Sequence, residues 1–349
     1  MKANNNLDVL RHSDGRIYLA WRTAPDHFAS RQTLIQVASS DDERTWRLER
    51  TIARGTDLRE PRLLSLHGSL FLYMTELGQD RLSFEPHGVF ATELRRDGTW
   101  SEVTSIGLPG YVAWRARVDA GTPHMLAYRG GANIYRFNGQ PLNVDLLTTR
   151  DGWHWQPVDP SHRSVYVGGG SEAGFALDRR GALYGVIRNE AGDASGFGSK
   201  LCVAPPGQLS AWRCTSDRRK FDSPRVFERD GEIYVLARRN VSPDGAYDHV
   251  GPFQLFKSIR NQLAYVTLGK RCALWHFARD TRKVEFVLDL PSRGDTCFPA
   301  IAEQRPGAEL AVYDYSSAID GADVPWSVGQ RQPTYIYRHA LEFTSRAAD

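Results

Sequence analysis

The chain has 349 residues, of which 41% are hydrophobic and 24% are charged. That composition predicts a folded protein with a substantial core and excludes an intrinsically disordered chain. The formal net charge of +3 is small and evenly spread, so nucleic acid is not the expected partner. No apolar run approaches the ~18 residues that a membrane span requires, so none is expected.

A strand–turn–strand pattern recurs along the chain. In each copy, two short apolar runs flank a turn with Asp-Gly or Gly, which is the strongest local signal for a β-hairpin because glycine accepts the positive φ of such turns. Six copies are present, at residues 7–22, 61–76, 115–129, 172–188, 223–239 and 298–315. Helical periodicity is scarce, so the sequence predicts an all-β protein.

A second repeat is out of phase with the first. Trp46, Trp100, Trp155 and Trp212 are 54, 55 and 57 residues apart, and each closes a short polar turn. Units of this length have room for four strands each, and six of them predict a six-bladed β-propeller. We expect a single propeller domain over residues 1–349, with the last blade closed by pairing of the two chain termini.

The cysteines bear on the compartment in which the protein folds. Cys202 and Cys214 flank a Pro-Pro-Gly turn and could form a disulfide across a hairpin, which would suit an oxidising compartment. Four reduced thiols fit the sequence equally well. The first residues lack the apolar core of a secretory signal. The location therefore stays open: secreted or periplasmic if a signal peptide was removed, and cytoplasmic otherwise.

Residues 39–46 read Ser-Ser-Asp-Asp-Glu-Arg-Thr-Trp. This turn resembles the Asp-box, Ser-x-Asp-x-Gly-x-Thr-Trp, of the sialidase (neuraminidase) superfamily, whose repeat is also called the BNR repeat. Glu43 replaces the glycine, and the later copies are more degraded. Asp-boxes are structural, so this resemblance implies a divergent sialidase-like propeller fold and implies no catalytic role for the turn.

The functional resemblance rests on the hairpin that begins with Glu172 and ends with Arg188. In sialidases a glutamate opens the inner strand of the fourth blade, and an arginine ends the following strand. These two positions of an antiparallel hairpin lie at the same edge of the sheet, so both side chains should meet at one mouth of the central funnel. The resemblance implies that Glu172 acts as a base and that Arg188 binds a carboxylate.

The same geometry predicts which other side chains surround the mouth. The inner-strand starts contribute Arg59, Glu60, Arg115, Glu172, Asp222 and Asp295, and the second-strand ends contribute Arg22, Glu76, Arg129, Arg188, Arg238, Arg239, Tyr313 and Tyr315. The predicted ligand-binding residues among them are Arg22, Arg59, Glu60, Arg115, Arg188, Arg238, Arg239 and Asp295. Guanidinium groups bind carboxylates through paired hydrogen bonds, which predicts an acidic oligosaccharide or polysaccharide as the partner. The alternative is that these are solvated strand ends paired with nearby acids.

Two positions depart from the sialidase pattern. Residues 4–6 are all asparagine where the resemblance places the blade-one arginine, and Phe298 lies in the region of the tyrosine nucleophile. Tyr313 or Tyr315 could bring a phenol to the mouth, with Glu172 as its base. We expect one of these two tyrosines to pack in the core.

Proton-transfer candidates lie in the loops. Asp26 and His27 follow the second strand of blade one, where sialidases hold their acid/base aspartate, and histidine as a residue type is suited to proton transfer near neutral pH. His249 lies in the equivalent loop of blade five and is a third candidate. A lone loop histidine is also a common surface or structural residue.

Three functions fit the sequence. The favoured one is an enzyme, an exo-acting glycoside hydrolase on a sialic- or uronic-acid-containing glycan with an altered catalytic set. The second is a polysaccharide lyase that acts on a uronate with His and Tyr chemistry, and the third is a glycan-binding propeller without turnover. We expect no metal and no cofactor, since the sequence has neither a His/Cys ligand motif nor a phosphate-binding glycine pattern.

Overall fold

The protein is a six-bladed β-propeller. The structure, a computed structural model, describes residues 1–80, 84–130, 140–242, 249, 251–302 and 309–343. Six antiparallel sheets surround a central axis, and each sheet is one blade whose strands follow in chain order from the axis outward. The repeat in the sequence predicts this architecture, because each hairpin unit supplies the two inner strands of one blade.

The first three blades have four or more strands each. Blade 1 contains β1 (Ala3–Arg11), β2 (Ile17–Ala24), β3 (Leu34–Ser40) and β4 (Arg47–Ile52). Blade 2 contains β5 (Asp57–Leu66), β6 (Ser69–Leu77), β7 (Pro86–Leu94) and β8 (Thr104–Ser105). Blade 3 contains β9 (Tyr111–Asp119), β10 (Thr122–Arg129), β11 (Leu142–Thr149), β12 (Trp155–Pro157) and β13 (Ser164–Gly168). The last two strands of blade 3 pair with different halves of β11.

The other three blades carry the only helices of the described residues. Blade 4 contains β14 (Gly170–Leu177), β15 (Leu183–Asn189), β16 (Lys200–Ala204) and β17 (Arg213–Ser216). Blade 5 contains β18 (Asp222–Arg229), β19 (Glu232–Asn240), β20 (Lys270–Ala278) and β21 (Lys283–Asp289), with helix α1 (Gln254–Thr267) between β19 and β20. Blade 6 contains β22 (Ala300–Ile301), β23 (Leu310–Ser317) and β24 (Thr334–Leu341), with helix α2 (Trp326–Gly329) before the last strand.

The repeated tryptophans pack where one blade meets the next. The Trp46 ring lies 6.0 Å from Tyr313 of blade 6, and the Trp155 ring lies 5.6 Å from Tyr73 of blade 2, both edge to face. Apolar clusters fill the same spaces between neighbouring sheets. The repeat of about 55 residues therefore reflects one packing position used in successive blades.

The turn that resembles an Asp-box is held by Asp42. Its Oδ1 accepts hydrogen bonds from the backbone N–H groups of Arg44 and Thr45, both at 2.8 Å, and from Ser40 Oγ at 3.1 Å. Glu43, which replaces the motif's glycine, has a φ of +60°. That left-handed conformation favours glycine, so Glu43 departs from the motif in residue type while its backbone has the conformation that favours the motif's glycine.

Among the described residues, which end at 343, no pairing of the terminal strands closes the ring, contrary to expectation. Strand β1 is the innermost strand of its own blade, and β24 is the outermost described strand of blade 6. The two ends meet through Thr334, whose N–H donates to Lys2 O at 3.0 Å and whose Oγ1 accepts from Asn4 N at 2.8 Å. Closure therefore depends on contacts between two complete blades.

Both cysteine pairs form disulfides. Cys202 and Cys214 lie opposite each other in the β16–β17 ladder and are bonded at 2.09 Å. The Cys272–Cys297 bond, at 2.05 Å, joins β20 of blade 5 to the segment that leads into blade 6. The disulfide alternative for the first pair is the one that the structure shows.

Helix α1 has its apolar side turned outward. Its buried residues are Ser258, Asn261 and Tyr265, whereas Leu255 and Leu263 are more than half exposed. A helix that packs by its apolar stripe would show the reverse arrangement. No helix among the described residues is long and apolar enough to cross a membrane.

Candidate active site

The mouth is the end of the ring where the inner strands begin and the second strands end. Its described side chains are Arg22, His27, Asp57, Arg59, Glu60, Glu172, Arg188, Glu190, Lys220, Asp222, Arg238, Tyr265, Asp295, Tyr315 and Trp326. They form two hydrogen-bonded groups, one on blades 4 and 5 and one on blades 1, 2 and 6.

The first group is the Arg188 cluster: Arg188, Glu172, Glu190, Asp222 and Lys220. Arg188 Nη1 donates to Glu172 Oε1, and Nε forms ion pairs with Glu190 and, at 3.3 Å, with Asp222. Lys220 Nζ lies 3.9 Å from Glu190 and 4.0 Å from Asp222. Burial alone would lower the pKa of Arg188, but the surrounding carboxylates raise it well above its ordinary value.

Glu172 links two blades. Its Oε2 accepts hydrogen bonds from the backbone N–H of Ser223, at 2.7 Å, and from the Ser223 hydroxyl, at 3.1 Å. The hairpin geometry predicts that Glu172 and Arg188 are neighbours, and the structure confirms it. Their roles as base and as carboxylate ligand stay predictions.

Glu190, which the sequence did not single out, is positioned by a close backbone approach. The N–H groups of Glu190 and Ala191 donate to the carbonyl of Gly169 at 2.8 and 3.0 Å. A Cβ atom at Gly169 would collide with the Asn189 side chain and the Gly192 carbonyl. The glycine run before Glu172 thus lets the two segments meet.

The second group is the His27 cluster: His27, Asp295, Tyr315 and Trp326. His27 Nδ1 lies 2.7 Å from Asp295 Oδ2, while Tyr315 Oη and Trp326 Nε1 both donate to Asp295 Oδ1 at 3.2 Å. Burial opposes the shift, yet the pKa of Asp295 lies below its ordinary value because of the nearby His27. The His27 side chain is 15% exposed, and its Nε2 has no hydrogen-bond partner among the described residues. The imidazole is therefore oriented by a carboxylate at Nδ1, while Nε2 makes no hydrogen bond to the described residues.

Two arginines hold the loop that carries His27. Arg22 is fully buried, bonds to Asp57 at 2.8 Å, and donates to the carbonyls of Phe28 at 2.8 Å and Asp26 at 3.3 Å. Arg59 donates to the His27 carbonyl at 3.0 Å and to Asp57 at 2.6 Å. In this structure Arg22 acts as a support for the loop.

Asp26 also supports this loop. Its Oδ1 accepts the Phe28 N–H at 2.9 Å, which closes a turn around His27. Asp57, which joins Arg22 to Arg59, was not singled out from the sequence. An acidic residue at the start of an inner strand is the feature of the sequence that would have indicated Asp57.

The helices α1 and α2 lie against the mouth. Tyr265 of α1 donates to Asp222 Oδ2 at 2.6 Å, and its ring packs edge to face on Trp326 of α2 at 4.9 Å. Arg238 donates to Thr296 O at 3.1 Å, with its guanidinium 5.3 Å from the Trp326 ring. These two aromatic side chains join the Arg188 and His27 clusters.

Glu60 is a buried carboxyl at the rim of the axial channel. Its Oε1 accepts a hydrogen bond from Asn6 Nδ2 at 2.7 Å. Burial raises the pKa of Glu60 to about 7; Arg62 opposes this shift and Glu172 adds to it. Both Glu60 and Asn6 have positive φ values, +52° and +46°, at bulges of their inner strands. Such backbone strain is concentrated at functional sites.

Four residues predicted at the mouth face elsewhere: Tyr313, Arg239, Glu76, which pairs with Arg54, and Arg129, which pairs with Asp145. Tyr313 donates to Glu43 at 2.7 Å in the space between blades 6 and 1, so of the two tyrosines only Tyr315 reaches the mouth. Arg239 pairs with Asp289 at the outer strand of blade 5, because it faces away from its neighbour Arg238. The backbone of His249 bonds to the Asn261 side chain at 3.1 Å, and residues 243–248 and 250 of its loop lie outside the described residues.

Arg115 and Phe298 lie deeper, in the axial channel. Arg115 donates to Pro299 O at 3.1 Å across the axis. The Phe298 ring lies 4.4 Å from the Arg62 guanidinium and 5.5 Å from that of Arg115. The phenyl ring thus packs between two cations where the resemblance led us to expect a nucleophile.

The sequence matches no protein-family model and no curated protein. The fold is similar to that of an unknown-function protein from Dyadobacter fermentans, with a TM-score of 0.63 and 14% identity over 98% of this chain and 95% of that one. Trypanosoma rangeli sialidase in complex with sialic acid gives 0.62 and 13%, over 93% of this chain and 53% of that one. Penicillium chrysogenum α-L-arabinanase complexed with arabinobiose gives 0.54 and 14%, over 97% and 93%. The fold is therefore that of sialidase-like propellers, and this chain spans about half the length of the Trypanosoma protein.

Proposed function

We propose that this protein is a carbohydrate-active enzyme that cleaves an acidic glycan at the mouth, with His27 as the proton-transfer group. The observation that carries the proposal is the His27–Asp295 pair, 2.7 Å apart, with His27 Nε2 directed away from its partner. A carboxylate on one imidazole nitrogen fixes the tautomer and stabilises the charged ring, so the other nitrogen can give or take a proton.

In the hydrolase that we propose, His27 protonates the glycosidic oxygen as the leaving group departs. Glu172 assists the attack of water at the anomeric carbon, so that the glycosidic bond breaks and a reducing end forms. Asp295 acts through His27 as a positioning residue. Arg22 and Arg59 act in the same way, because they hold the loop backbone beside the imidazole.

The acidic character of the glycan is supported by Arg59. Its side chain is 16% exposed, compared with 0% for Arg22, 7% for Arg188 and 5% for Arg238. All four bond to carboxylates or carbonyl oxygens of the protein, and Arg59, which bonds to Asp57 and to the His27 carbonyl, is the most exposed of them. Arg59 is thus the arginine of the mouth best placed to contact a sugar carboxylate next to His27.

Uronate β-elimination is the second candidate. It is favoured because it needs no tyrosine nucleophile activated by Glu172, and the two side chains are not paired in this way. Tyr315 is buried and donates to Asp295, and burial together with that carboxylate raises its pKa well above the ordinary value. Among the described residues Glu172 bonds to Arg188 and Ser223, with no phenol beside it. In the lyase, His27 would take the proton from the carbon next to the carboxylate, and the electron pair would form a carbon–carbon double bond as the glycosidic C–O bond breaks. The departing oxygen would take its proton from water.

A glycan panel that contains sialosides and uronates tests the proposal. We expect wild-type protein to release an acidic sugar with new reducing ends, and His27→Gln to lower turnover at least about a hundredfold. Near-ultraviolet absorption by the products would instead identify the lyase, since elimination leaves an unsaturated sugar. Loss of turnover in His27→Gln without loss of ligand binding supports proton transfer.

His124→Gln is the matched control. His124 is also a histidine beside an aspartate, 3.3 Å from Asp119, but this pair lies at the opposite end of β9 and β10 from the mouth. We expect it to leave turnover unchanged. Full activity of His27→Gln on every accepted glycan would overturn the proposed mechanism.

A further inference from the structure

Three arginines stand at one level of the axial channel, below the mouth. Arg62 of β5, Arg115 of β9 and Arg225 of β18 each directly follow the bulge of their inner strand. Equivalent positions in a propeller lie at the same height around the axis, so these side chains converge. The residue two positions after the left-handed bulge residue is Arg62 in blade 2, Arg225 in blade 5 and Asp8 in blade 1.

In this arginine ring the surroundings of Arg62 and Arg115 are apolar and closed, whereas Arg225 is partly exposed. Phe298 lies within 5.5 Å of the guanidinium groups of Arg62 and Arg115, and Trp114 lies 5.0 Å from that of Arg62. Arg62 has no exposed surface, and Arg115, Phe298 and Trp114 are each at most 3% exposed. Charges in such a setting require compensation from nearby groups.

Several N–H groups of the ring are unpaired. Arg62 Nε, Arg225 Nε, and both Nε and Nη1 of Arg115 are buried with no hydrogen-bond partner in the described part of the chain. The remaining bonds go mostly to neutral carbonyls: Arg115 Nη2 to Pro299 O at 3.1 Å and Arg62 Nη1 to Leu7 O at 3.4 Å. Single buried Nε atoms without a hydrogen bond also occur at Arg188 and Arg238, which lie beside Asp222. Arg115 has two such atoms and no ion pair among the described residues, which indicates a ligand.

The acids near the ring do not balance its charge. Asp8 is the one carboxylate that acts on all three arginines. Asp119 also acts on Arg225, but it is already paired with Arg117 and His124. Glu60 lies 3.5 Å from Arg62, and its pKa of about 7 leaves it partly neutral, while Glu172 bonds to Arg188. Burial, followed by its cationic neighbours, lowers the pKa of Arg115 well below the ordinary value. A bound anion would relieve this mutual repulsion.

We propose that the axial channel binds one small inorganic anion of halide size between Arg62, Arg115 and Arg225. A halide accepts hydrogen bonds from several directions, which suits N–H groups that arrive from three blades. A carboxylate fits less well, because its two oxygens favour a single planar fork. The inference goes beyond the proposed function, since the anion occupies a different level of the molecule and takes no part in proton transfer.

Bromide is the probe, because it can be located directly. Crystals of the wild-type protein grown in sodium bromide should show an anomalous peak in contact with Arg115 Nε or Nη1. In solution, sodium chloride should raise the midpoint of thermal unfolding by about 2–4 °C and then saturate. Sodium methanesulfonate at equal ionic strength should not. An absent peak, or an equal rise with both salts, overturns the proposal.

Two variants and one competing ligand sharpen the test. Arg115→Met should abolish the saturable response to chloride, whereas Arg239→Met, which removes an arginine paired at the outer strand of its blade, should keep it. If Arg115→Met fails to fold, the bromide peak of the wild-type protein decides. Displacement of bromide by equimolar acetate would show a carboxylate site and overturn the halide assignment. None of these measurements uses a glycan, so failure here and failure of the proposed function are separate outcomes.

Discussion

The two halves of the mouth use similar residues in different ways. In the Arg188 cluster the guanidinium contacts three carboxylates, and every member is buried. In the His27 cluster a single carboxylate, Asp295, contacts the His27 imidazole, the Tyr315 hydroxyl and the Trp326 indole N–H. The second imidazole nitrogen makes no hydrogen bond to the described residues. The first arrangement pairs its guanidinium internally, and of its members only Glu172 enters the proposed mechanism, whereas the second leaves the His27 imidazole for a ligand.

This contrast separates structural from chemical roles better than residue type does. Buried ion pairs gain most of their energy from one another, so removal of one partner leaves uncompensated charge. A partly exposed histidine that a buried acid orients loses little stability when it is replaced, but it loses its proton-transfer ability. The two halves of the mouth should therefore respond to substitution in opposite ways.

The largest expected effect is on stability, from Arg188→Met. This change leaves Glu172, Glu190 and Asp222 buried without their common cation, and loss of one partner of a buried network costs about 3–5 kcal/mol. Urea unfolding of the purified variant measures it. The matched control is Arg239→Met, which breaks one partly exposed pair and should cost about 1 kcal/mol or less. Equal losses in the two variants would contradict the distinction.

The next effect is on turnover, from Asp295→Asn. The amide keeps the size of the side chain but removes the charge that orients His27, so we expect kcat to fall about a hundredfold with little change in KM. Steady-state kinetics on the glycan that the wild-type protein cleaves measures both constants. A parallel rise in KM with unchanged kcat would show that Asp295 supports binding alone.

The sequence predicts the blades well because hairpins are local. The pairing of Glu172 with Arg188 follows from strand alternation and from antiparallel geometry, which short stretches of sequence determine. The choice between Arg238 and Arg239 does not follow, because neighbouring residues face opposite ways and the register depends on the bulge at Ser223. A one-residue difference in register reverses which arginine enters the mouth.

The sequence does not predict the aromatic residues that join the two halves. Tyr265 belongs to a helix whose apolar stripe faces outward, so the usual reading of its periodicity would place the wrong side against the protein. Trp326 lies in a helix of four residues with no period to detect. Both reach the mouth through long-range contacts with Asp222 and Asp295, which no local pattern records.

A smaller effect concerns the pH dependence of stability, through Glu60. The pKa of Glu60 rises from 4.5 to about 7 on folding because of burial, so the folded state binds its proton more tightly than the unfolded chain does. That stabilisation is fully present below about pH 4.5 and is lost as the pH rises through about 7. Through this group the wild-type protein should lose on the order of 2–3 kcal/mol of unfolding free energy across that window, and we expect Glu60→Gln to abolish that loss.

Urea unfolding at intervals from pH 4.5 to 8 measures this slope for both proteins. A residual slope of the same sign should remain in Glu60→Gln, since burial also raises the pKa of Asp314 to about 7. Asp57 and Asp222 act outside the window, because their lowered pKa values withdraw stability only at more acidic pH. An unchanged slope in Glu60→Gln would show that this carboxyl is ionised throughout the range.

The smallest expected effect comes from a matched pair of hydroxyl deletions. Tyr313→Phe and Tyr315→Phe each remove one hydrogen bond, to Glu43 and to Asp295 respectively, so each should cost about 1 kcal/mol in urea unfolding. Only Tyr315→Phe should also lower kcat, by several-fold, because only its phenol touches the acid that orients His27. The two tyrosines lie on one strand with a single residue between them, so any effect on the stability of that strand should be the same in both variants. A loss of turnover in Tyr313→Phe as large as in Tyr315→Phe would show that the strand matters more than the mouth, and the contrast between the two halves would lose its clearest support.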